Sequence, residues 1–358
     1  MPAASPPRAA MIRAKLLSII SRPAVPLAPT DSVFSDEGSN LVREKLTITS
    51  AAGIFVPVVI YKLASISLPP KKLPVVFCLH GTSSNMDANK PFLKRAAARG
   101  YLACAFDARY HGERAAHRVN DYHEALVAAW KHGRSQVSTE VSTSLDGARG
   151  QPEPWPQEHP FMMDSAWDMM KVIDYLVTRQ DVDAARIGTT GISLGGMHSW
   201  MAAVADPRIA VAAPAIGAQS YAWAVENASW TARVETIQPV FDEACKDLGK
   251  EAVDEEVLVA VWDKLLPGIL GDLDGPSSLP TLAPRPLLIC NGELDPRCPV
   301  PGVEQIAANA AQEYAAHGAP GNFELHIEKG VAHAVTAEMW TVIDQFLDKH
   351  LQPSTHDN

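Results

Sequence analysis

Thr190-Gly191-Ile192-Ser193-Leu194-Gly195-Gly196 sets a serine between two glycines where a strand should end and a helix should begin. Residues 186–190 are rich in β-forming side chains, and residues 197–204 form an apolar run that suits a helix. At such a junction, G-x-S-x-G is the pattern of a nucleophile elbow, whose tight turn admits only small residues beside the serine. The strained turn exposes the hydroxyl at the sheet end, next to the amides of the helix start. The pattern therefore predicts Ser193 as a nucleophile.

A serine hydroxyl needs an imidazole base and a carboxylate that orients the base, and both follow along the chain. Residues 323–328 alternate between apolar and polar, which predicts a half-exposed strand, and His333 lies in the loop behind it. Asp295 comes just past another predicted strand, and Glu293 is a competing carboxylate two residues earlier. The order Ser193, Asp295, His333 predicts a catalytic triad, with Glu293 as the alternative acid.

A fourth predicted strand, residues 73–79, is apolar throughout and ends in His80-Gly81-Thr82. When a sheet carries a nucleophile elbow, the oxyanion is held by the amide after the nucleophile and by one amide from the loop behind this strand. We therefore expect the backbone N–H groups of Leu194 and Thr82 to form the oxyanion hole. His80 is expected to pack beneath that loop and to take no part in the chemistry.

These motifs together resemble the α/β-hydrolase superfamily. The residues that carry the resemblance are His80-Gly81-Thr82, Gly191-Ile192-Ser193-Leu194-Gly195, Gly292-Glu293-Leu294-Asp295 and Ala332-His333. A further stretch, residues 106–114, is similar to the strand-end motif of the dienelactone-hydrolase and acetyl-esterase branch. The resemblance implies a cofactor-free serine hydrolase that cleaves carboxylic esters with small to medium acyl groups through an acyl-enzyme.

Two other functions remain open at this stage. A serine peptidase acting on short peptides is compatible with the same triad, but it would need a site for a charged terminus, and no such site is evident in the sequence. A ligand receptor or regulatory protein could retain the hydrolase fold, although a complete triad argues against it.

The composition of the chain limits which classes of binding partner are expected. The chain has 31 Lys and Arg against 41 Asp and Glu, a net charge of −10, which argues against nucleic acid and anionic membranes as main partners. No run of about 18 apolar residues predicts a membrane span. H-E-x-x-H, a Cys/His cluster and the glycine-rich nucleotide motifs are all missing from the sequence, so we expect no metal and no cofactor. The expected partner is a small-molecule ester; the sequence does not predict an oligomeric state.

The chain alternates predicted strands and helices, which favours a mostly parallel, doubly wound α/β sheet. Residues 41–352 are assigned to this hydrolase domain and residues 1–40 to an N-terminal extension. The first 30 residues contain basic but no acidic side chains, so this segment is either a packed helix or an organelle transit peptide. The five cysteines are odd in number and show no C-x-x-C spacing, which favours reduced thiols and a cytoplasmic location, with a mitochondrion or chloroplast as the alternative.

Two long stretches interrupt the alternation, at about residues 115–160 and 219–280, and we interpret them as helical lid insertions. Their tryptophans are expected either to line an acyl pocket or to form the insertions' own cores; they are Trp130, Trp155, Trp223, Trp230 and Trp262. Outside the insertions, four polar residues are expected to lock the loop after residue 106 by hydrogen bonds; they are Asp107, Arg109, His111 and Arg114. His198, on the predicted elbow helix, is expected to fill space.

Overall fold

The computed structural model describes residues 7–64, 72–115, 121–132 and 161–353. In chain order, the strands of these ranges are β1 (Val33–Asp36), β2 (Leu41–Ala51), β3 (Ile54–Leu63), β4 (Leu73–Leu79), β5 (Leu102–Phe106), β6 (Val182–Ile192), β7 (Ile209–Ala215), β8 (Leu287–Gly292) and β9 (Phe323–Glu328). The α-helices are α1 (Arg8–Ile20), α2 (Lys90–Ala98), α3 (Asp121–His132), α4 (Phe161–Leu176), α5 (Leu194–Ala205), α6 (Tyr221–Glu226), α7 (Thr231–Val234), α8 (Gln238–Leu248), α9 (Glu255–Leu265), α10 (Gly275–Ser278), α11 (Val300–Ala316) and α12 (Ala337–Leu351).

Within the described ranges, nine strands form one sheet in the order β1-β2-β3-β5-β4-β6-β7-β8-β9. The six strands from β5 to β9 along this order run parallel, and β1, β2 and β3 join them antiparallel. Strands such as β4 and β8 are apolar along most of their length because helices cover both faces of a parallel sheet. Apolar side chains of α1, α4 and α5 pack on one face, and those of α2 and α12 on the other. The predicted mostly parallel α/β fold is confirmed.

The N-terminal part of the chain packs on the sheet. Ile12, Leu16 and Ile20 of α1 are buried in the same core cluster as α4 and α5. Beyond α1, the guanidinium of Arg22 lies 2.6 Å from the buried carboxylate of Asp164. Strand β1, also inside the segment assigned as an extension, pairs with β2 at the edge of the sheet.

The second predicted insertion, residues 219–280, contains α6 to α10. Of the first, the structure describes α3; its residues 116–120 and 133–160, with Trp155, lie outside the described residues. Helix α3 packs against α8 and α9. Trp262 is almost fully buried, with its ring centroid 5.3 Å from that of Tyr221 and 5.3 Å from that of Phe241. Trp130 donates a 2.7 Å hydrogen bond to Asp247, which ties α3 to α8.

No described helix combines the length and apolar character that crossing a bilayer requires.

Candidate active site

The backbone around Ser193 forms the tight turn that its sequence predicts. Strand β6 ends one residue before Ser193, and α5 begins one residue after it. Ser193 has φ 55° and ψ −111°, a backbone conformation that is strained for a residue with a side chain. A Cβ at Gly191 would collide with the carbonyl of Gly195, and a Cβ at Gly195 would collide with the carbonyl of Leu79. The two glycines therefore let the turn, the helix start and β4 approach each other closely.

The structure brings Ser193, Asp295 and His333 together from the ends of three different strands. Nε2 of His333 lies 2.8 Å from Oγ of Ser193, and its Nδ1 lies 2.9 and 2.8 Å from the two oxygens of Asp295. The carboxylate also accepts hydrogen bonds from the amides of Arg297, at 2.8 Å, and Cys298, at 3.0 Å. A carboxylate fixed by two amides can hold the imidazole in one orientation with its Nε2 toward the serine.

Glu293 points elsewhere. Its Oε2 accepts a 2.8 Å hydrogen bond from the amide of Gly330, in the turn that leads from β9 to His333. Asp295, and not Glu293, contacts the imidazole, while Glu293 braces the loop that carries it.

The pKa values of Asp295 and His333 are each shifted in opposite directions by burial and by the groups that contact them. Burial disfavours ionisation of Asp295, but hydrogen bonds from His333 and from the amides of Cys298 and Arg297 keep the pKa of this carboxyl below its ordinary value. For His333, burial lowers the pKa and outweighs the favourable contact with Asp295; the positive charges of Arg233 and Arg297 lower it further. The imidazole is therefore neutral at pH 7, as a general base must be.

His80 anchors the loop that follows β4 through two hydrogen bonds. Nε2 of His80 accepts a 3.0 Å hydrogen bond from the amide of Ala108, so its Nδ1 carries the proton and donates to the carbonyl of Gly81 at 2.8 Å. Thr82, the next residue, and Leu194, at the start of α5, line the same cavity. Their amides belong to a pinned loop and a helix N-terminus, which is the arrangement an oxyanion needs.

A small cavity of about 20 Å³ lies between the oxyanion loop, the elbow helix and the second insertion. The described residues that line it are Thr82, Tyr122, Met162, Leu194, Met197, Tyr221, Arg233, Thr236, Ile237 and Trp262. Most of these side chains are apolar or aromatic, and Arg233 is the charged one among them. Of the insertion tryptophans with described positions, Trp262 reaches the cavity.

The polar residues after β5 form a buried network away from this cavity. Asp107 accepts hydrogen bonds from the amides of Met86 and Glu113, both at 2.7 Å. Arg109 and Arg114 pair with the buried Asp168 at 3.2 and 2.8 Å. This network fixes the loop beneath the site.

His198 is fully enclosed on α5. Its Nε2 lies 2.8 Å from the carbonyl oxygen of Met162, and burial lowers its pKa to about 4, so this imidazole stays neutral.

Comparison with known proteins gives one family match and several structural matches. The sequence model of the X-Pro dipeptidyl-peptidase (S15) family matches residues 82–238. "Putative hydrolase YtaP" of Bacillus subtilis (strain 168) is 26% identical over 192 residues, which is 52% of each chain. The methylesterase BT1017 superposes with a TM-score of 0.64 and 15% identity over 96% of this chain and 64% of that one. Acetyl xylan esterase 1 of Thermoanaerobacterium sp. JW/SL YS485 superposes with a TM-score of 0.59 and 17% identity over 98% and 95%. The chain has the α/β-hydrolase fold.

The resemblance predicted from the motifs is thus confirmed at the level of the fold. This α/β-hydrolase spans about half the length of the curated relative and under two thirds of the methylesterase. At these identities, the superpositions establish the fold of the α/β-hydrolase and leave its substrate to be argued from the site.

One group of side chains in the described part of the α/β-hydrolase has the composition of a metal site. Ligand atoms of Asp295, Cys298 and His333 lie within 4.8 Å of one another. Asp295 and His333 are already hydrogen-bonded to each other, and the Cys298 thiol donates to the carbonyl of Ile216 at 3.3 Å. A metal ion would have to break these hydrogen bonds.

Sequence reasoning missed Arg233, Tyr122 and Ile237 of the α/β-hydrolase, which all reach the cavity. They lie in the two predicted insertions, where no strand end and no motif in the sequence indicates which residue is functional. The one available signal was the clustering of aromatic residues in both insertions.

The α/β-hydrolase should remain active below the ordinary pKa of histidine. Because burial lowers the pKa of His333, its neutral form is retained as the pH falls and is lost only at the lowered pKa. We expect the acid limb of kcat/KM to have its midpoint below about 6.5. Initial rates between about pH 4 and pH 9, with circular dichroism at each pH as the control for unfolding, measure it. A midpoint above the ordinary value would mean that the Asp295 carboxylate outweighs burial.

Proposed function

We propose that the protein is a serine esterase that cleaves carboxylic esters with small to medium acyl groups through an acyl-enzyme. The observation that carries the proposal is the hydrogen-bond chain from Ser193 through His333 to Asp295, together with a cavity that is lined by Thr82 and Leu194. Two structures of the same fold bear the names of esterases, a methylesterase and an acetyl xylan esterase, which supports ester chemistry.

In the first half-reaction, Nε2 of His333 takes the hydroxyl proton while Oγ of Ser193 bonds to the ester carbonyl carbon. The carbonyl π electrons move onto oxygen, and the amides of Thr82 and Leu194 donate hydrogen bonds to that oxyanion. When the intermediate collapses, the bond to the alkoxy oxygen breaks and His333 returns the proton to the departing alcohol. Asp295 stabilises the imidazolium between the two transfers.

In the second half-reaction, water takes the place of the alcohol. His333 removes a proton from water, hydroxide adds to the acyl carbon, and the same two amides hold the oxyanion. Collapse releases the acid, and Oγ of Ser193 recovers its proton from His333. A lost oxyanion donor typically costs about 10² to 10³ in kcat, so the Thr82 loop is expected to make a substantial contribution beside the triad.

The cavity favours the small end of the acyl range. A void of about 20 Å³ is too small for a decanoyl chain. Trp262 and Ile237 close it and are almost fully buried, so a longer acyl chain must displace packed side chains.

A peptidase is the second candidate because the S15 family model covers the elbow and the oxyanion loop. Removing a dipeptide from an N-terminus requires recognition of an ammonium group, which a carboxylate normally provides. The charged residue among the described cavity lining is Arg233, a cation, which would repel an ammonium. The site therefore favours esters over N-terminal dipeptides.

Turnover of 4-nitrophenyl acetate, butanoate and decanoate, and of Ala-Pro-4-nitroanilide, by the purified protein tests the proposal. We expect kcat/KM for the acetate to exceed that for the decanoate by about tenfold or more, because the packed side chains around the cavity leave no room for the longer chain. The anilide should not be cleaved above background. Faster cleavage of the anilide than of every ester would make the protein a peptidase, and a folded protein that turns over none of the four would favour a receptor.

A further inference from the structure

Within the described residues, Arg233 lines the cavity and forms no ion pair with a carboxylate, although the charge of the Asp295 carboxylate acts on its guanidinium. Its Nη2 donates to Oε1 of Gln219 at 3.1 Å, to the carbonyl of Arg297 at 3.3 Å and to Sγ of Cys298 at 3.5 Å. Within the described residues these are all of its side-chain hydrogen bonds, and it forms no ion pair. Its Nε is enclosed and has no acceptor among them.

Two other arginines of the described chain, Arg109 and Arg179, have carboxylate partners. Arg109 contacts the carboxylates of Asp164 and Asp168, and Arg179 contacts those of Glu44 and Asp181. Keeping a guanidinium away from water without an anion costs free energy, so such a group is usually paired. Among the described residues, Arg233 shares the lack of a carboxylate partner with Arg285, whose guanidinium donates to three backbone carbonyls, but of these two Arg233 is the one that lines the cavity.

The cavity places Arg233 near the expected position of the scissile carbonyl. Thr82 and Leu194, which are expected to supply the oxyanion amides, line the cavity together with Arg233, whereas neither Ser193 nor His333 does. A substrate whose carbonyl oxygen lies at these two residues would therefore extend past Arg233.

We propose that Arg233 binds a carboxylate carried by the acyl group, so that the preferred substrates are half-esters of short dicarboxylic acids. The inference rests on the proposed esterase function and names the substrate class of that same site. A guanidinium presents parallel N–H groups that match a carboxylate, and near neutral pH a half-ester is ionised. The bound anion would supply the direct ion pair that Arg233 lacks among the described residues, and it would hold the scissile carbonyl near the oxyanion amides.

Matched neutral and anionic esters test the inference. Monoethyl succinate and ethyl 3-nitropropanoate have the same shape at the far end of the acyl chain, since a nitro group is isosteric with a carboxylate but carries no net charge. For the unmodified protein we expect kcat/KM to be about tenfold or more higher for the half-ester, measured by pH-stat. Arg233→Met should lose about 10- to 100-fold on the half-ester and less than about threefold on the nitro ester. Arg233→Lys should recover part of the loss.

Arg297→Met is the matched control, because it removes a nearby positive charge that does not line the cavity. This variant should leave the ratio of kcat/KM for the two substrates unchanged. Equal losses on both esters in Arg233→Met would mean that Arg233 only supports the Asp295 loop through Arg297 and Cys298, and the inference would be wrong.

The ratio of kcat/KM for the half-ester to kcat/KM for the nitro ester, measured in the unmodified protein, tests the inference even if the variants fail to fold. Hydrolysis of neutral esters without preference for the half-ester overturns the carboxylate site and leaves the esterase function standing. Failure to hydrolyse the two ethyl esters and 4-nitrophenyl acetate alike overturns the esterase function itself.

Discussion

Replacing Ser193 with alanine should lower kcat for ester hydrolysis by at least about 10⁴-fold. Without Oγ no acyl-enzyme can form, and the remaining amides and imidazole can only assist direct attack by water. Alanine keeps the small side chain that the elbow tolerates at φ 55°, so the fold should be retained. Steady-state kinetics on 4-nitrophenyl acetate and circular dichroism of both proteins measure the two effects.

Ser199→Ala is the matched control for that change, because Ser199 lies on the same helix and is buried, with its hydroxyl bonded to the carbonyl of Gly195. A fluorophosphonate probe should label the unmodified protein and Ser199→Ala on Ser193, and should not label Ser193→Ala. Residual turnover above a few per cent in Ser193→Ala would remove the assignment of the nucleophile.

Asp295→Asn should lose on the order of 10² to 10⁴ in kcat while the protein stays folded. Asparagine keeps the shape of aspartate, but its amide nitrogen would face Nδ1 of His333 and favour the tautomer whose Nε2 carries a proton. That nitrogen could then no longer accept the proton of Ser193. Glu293→Gln should lose far less, since the amide oxygen of glutamine can still accept the hydrogen bond from Gly330.

The two acid variants control for each other, because each neutralises one carboxylate in the same loop. Kinetics of both, with folding checked by circular dichroism, rank the two residues. A larger loss in Glu293→Gln than in Asp295→Asn would transfer the role of orienting His333 to Glu293.

Those parts of the fold and site that depend on local sequence could be predicted. The turn around Ser193 is specified by its neighbouring glycines, and the positions of Asp295 and His333 follow from the apolar strands that precede them. Because parallel strands bring their carboxyl ends to one edge, marking three strand ends was enough to anticipate that these residues would meet.

Features that depend on distant contacts escaped prediction. Strand β1 has four exposed residues and no alternating pattern, so it is defined by its pairing with β2 alone. Arg233 belongs to a four-residue helix whose position depends on the packing of the second insertion. No periodicity distinguishes an arginine beside a cavity from one on the surface, and the missing carboxylate partner becomes visible only in three dimensions.

The order in which the strands join the sheet has a consequence for biosynthesis. From β6 onward, neighbours in space are neighbours in sequence, so this half of the sheet can grow strand by strand as the chain leaves the ribosome. Ser193 follows the first strand of the series and His333 the last, 140 residues later. A nascent chain can therefore fold its elbow long before the base has been synthesised. Under the proposed mechanism, hydrolysis would therefore begin only once the sheet is complete, and an unfinished chain would carry Ser193 without its base.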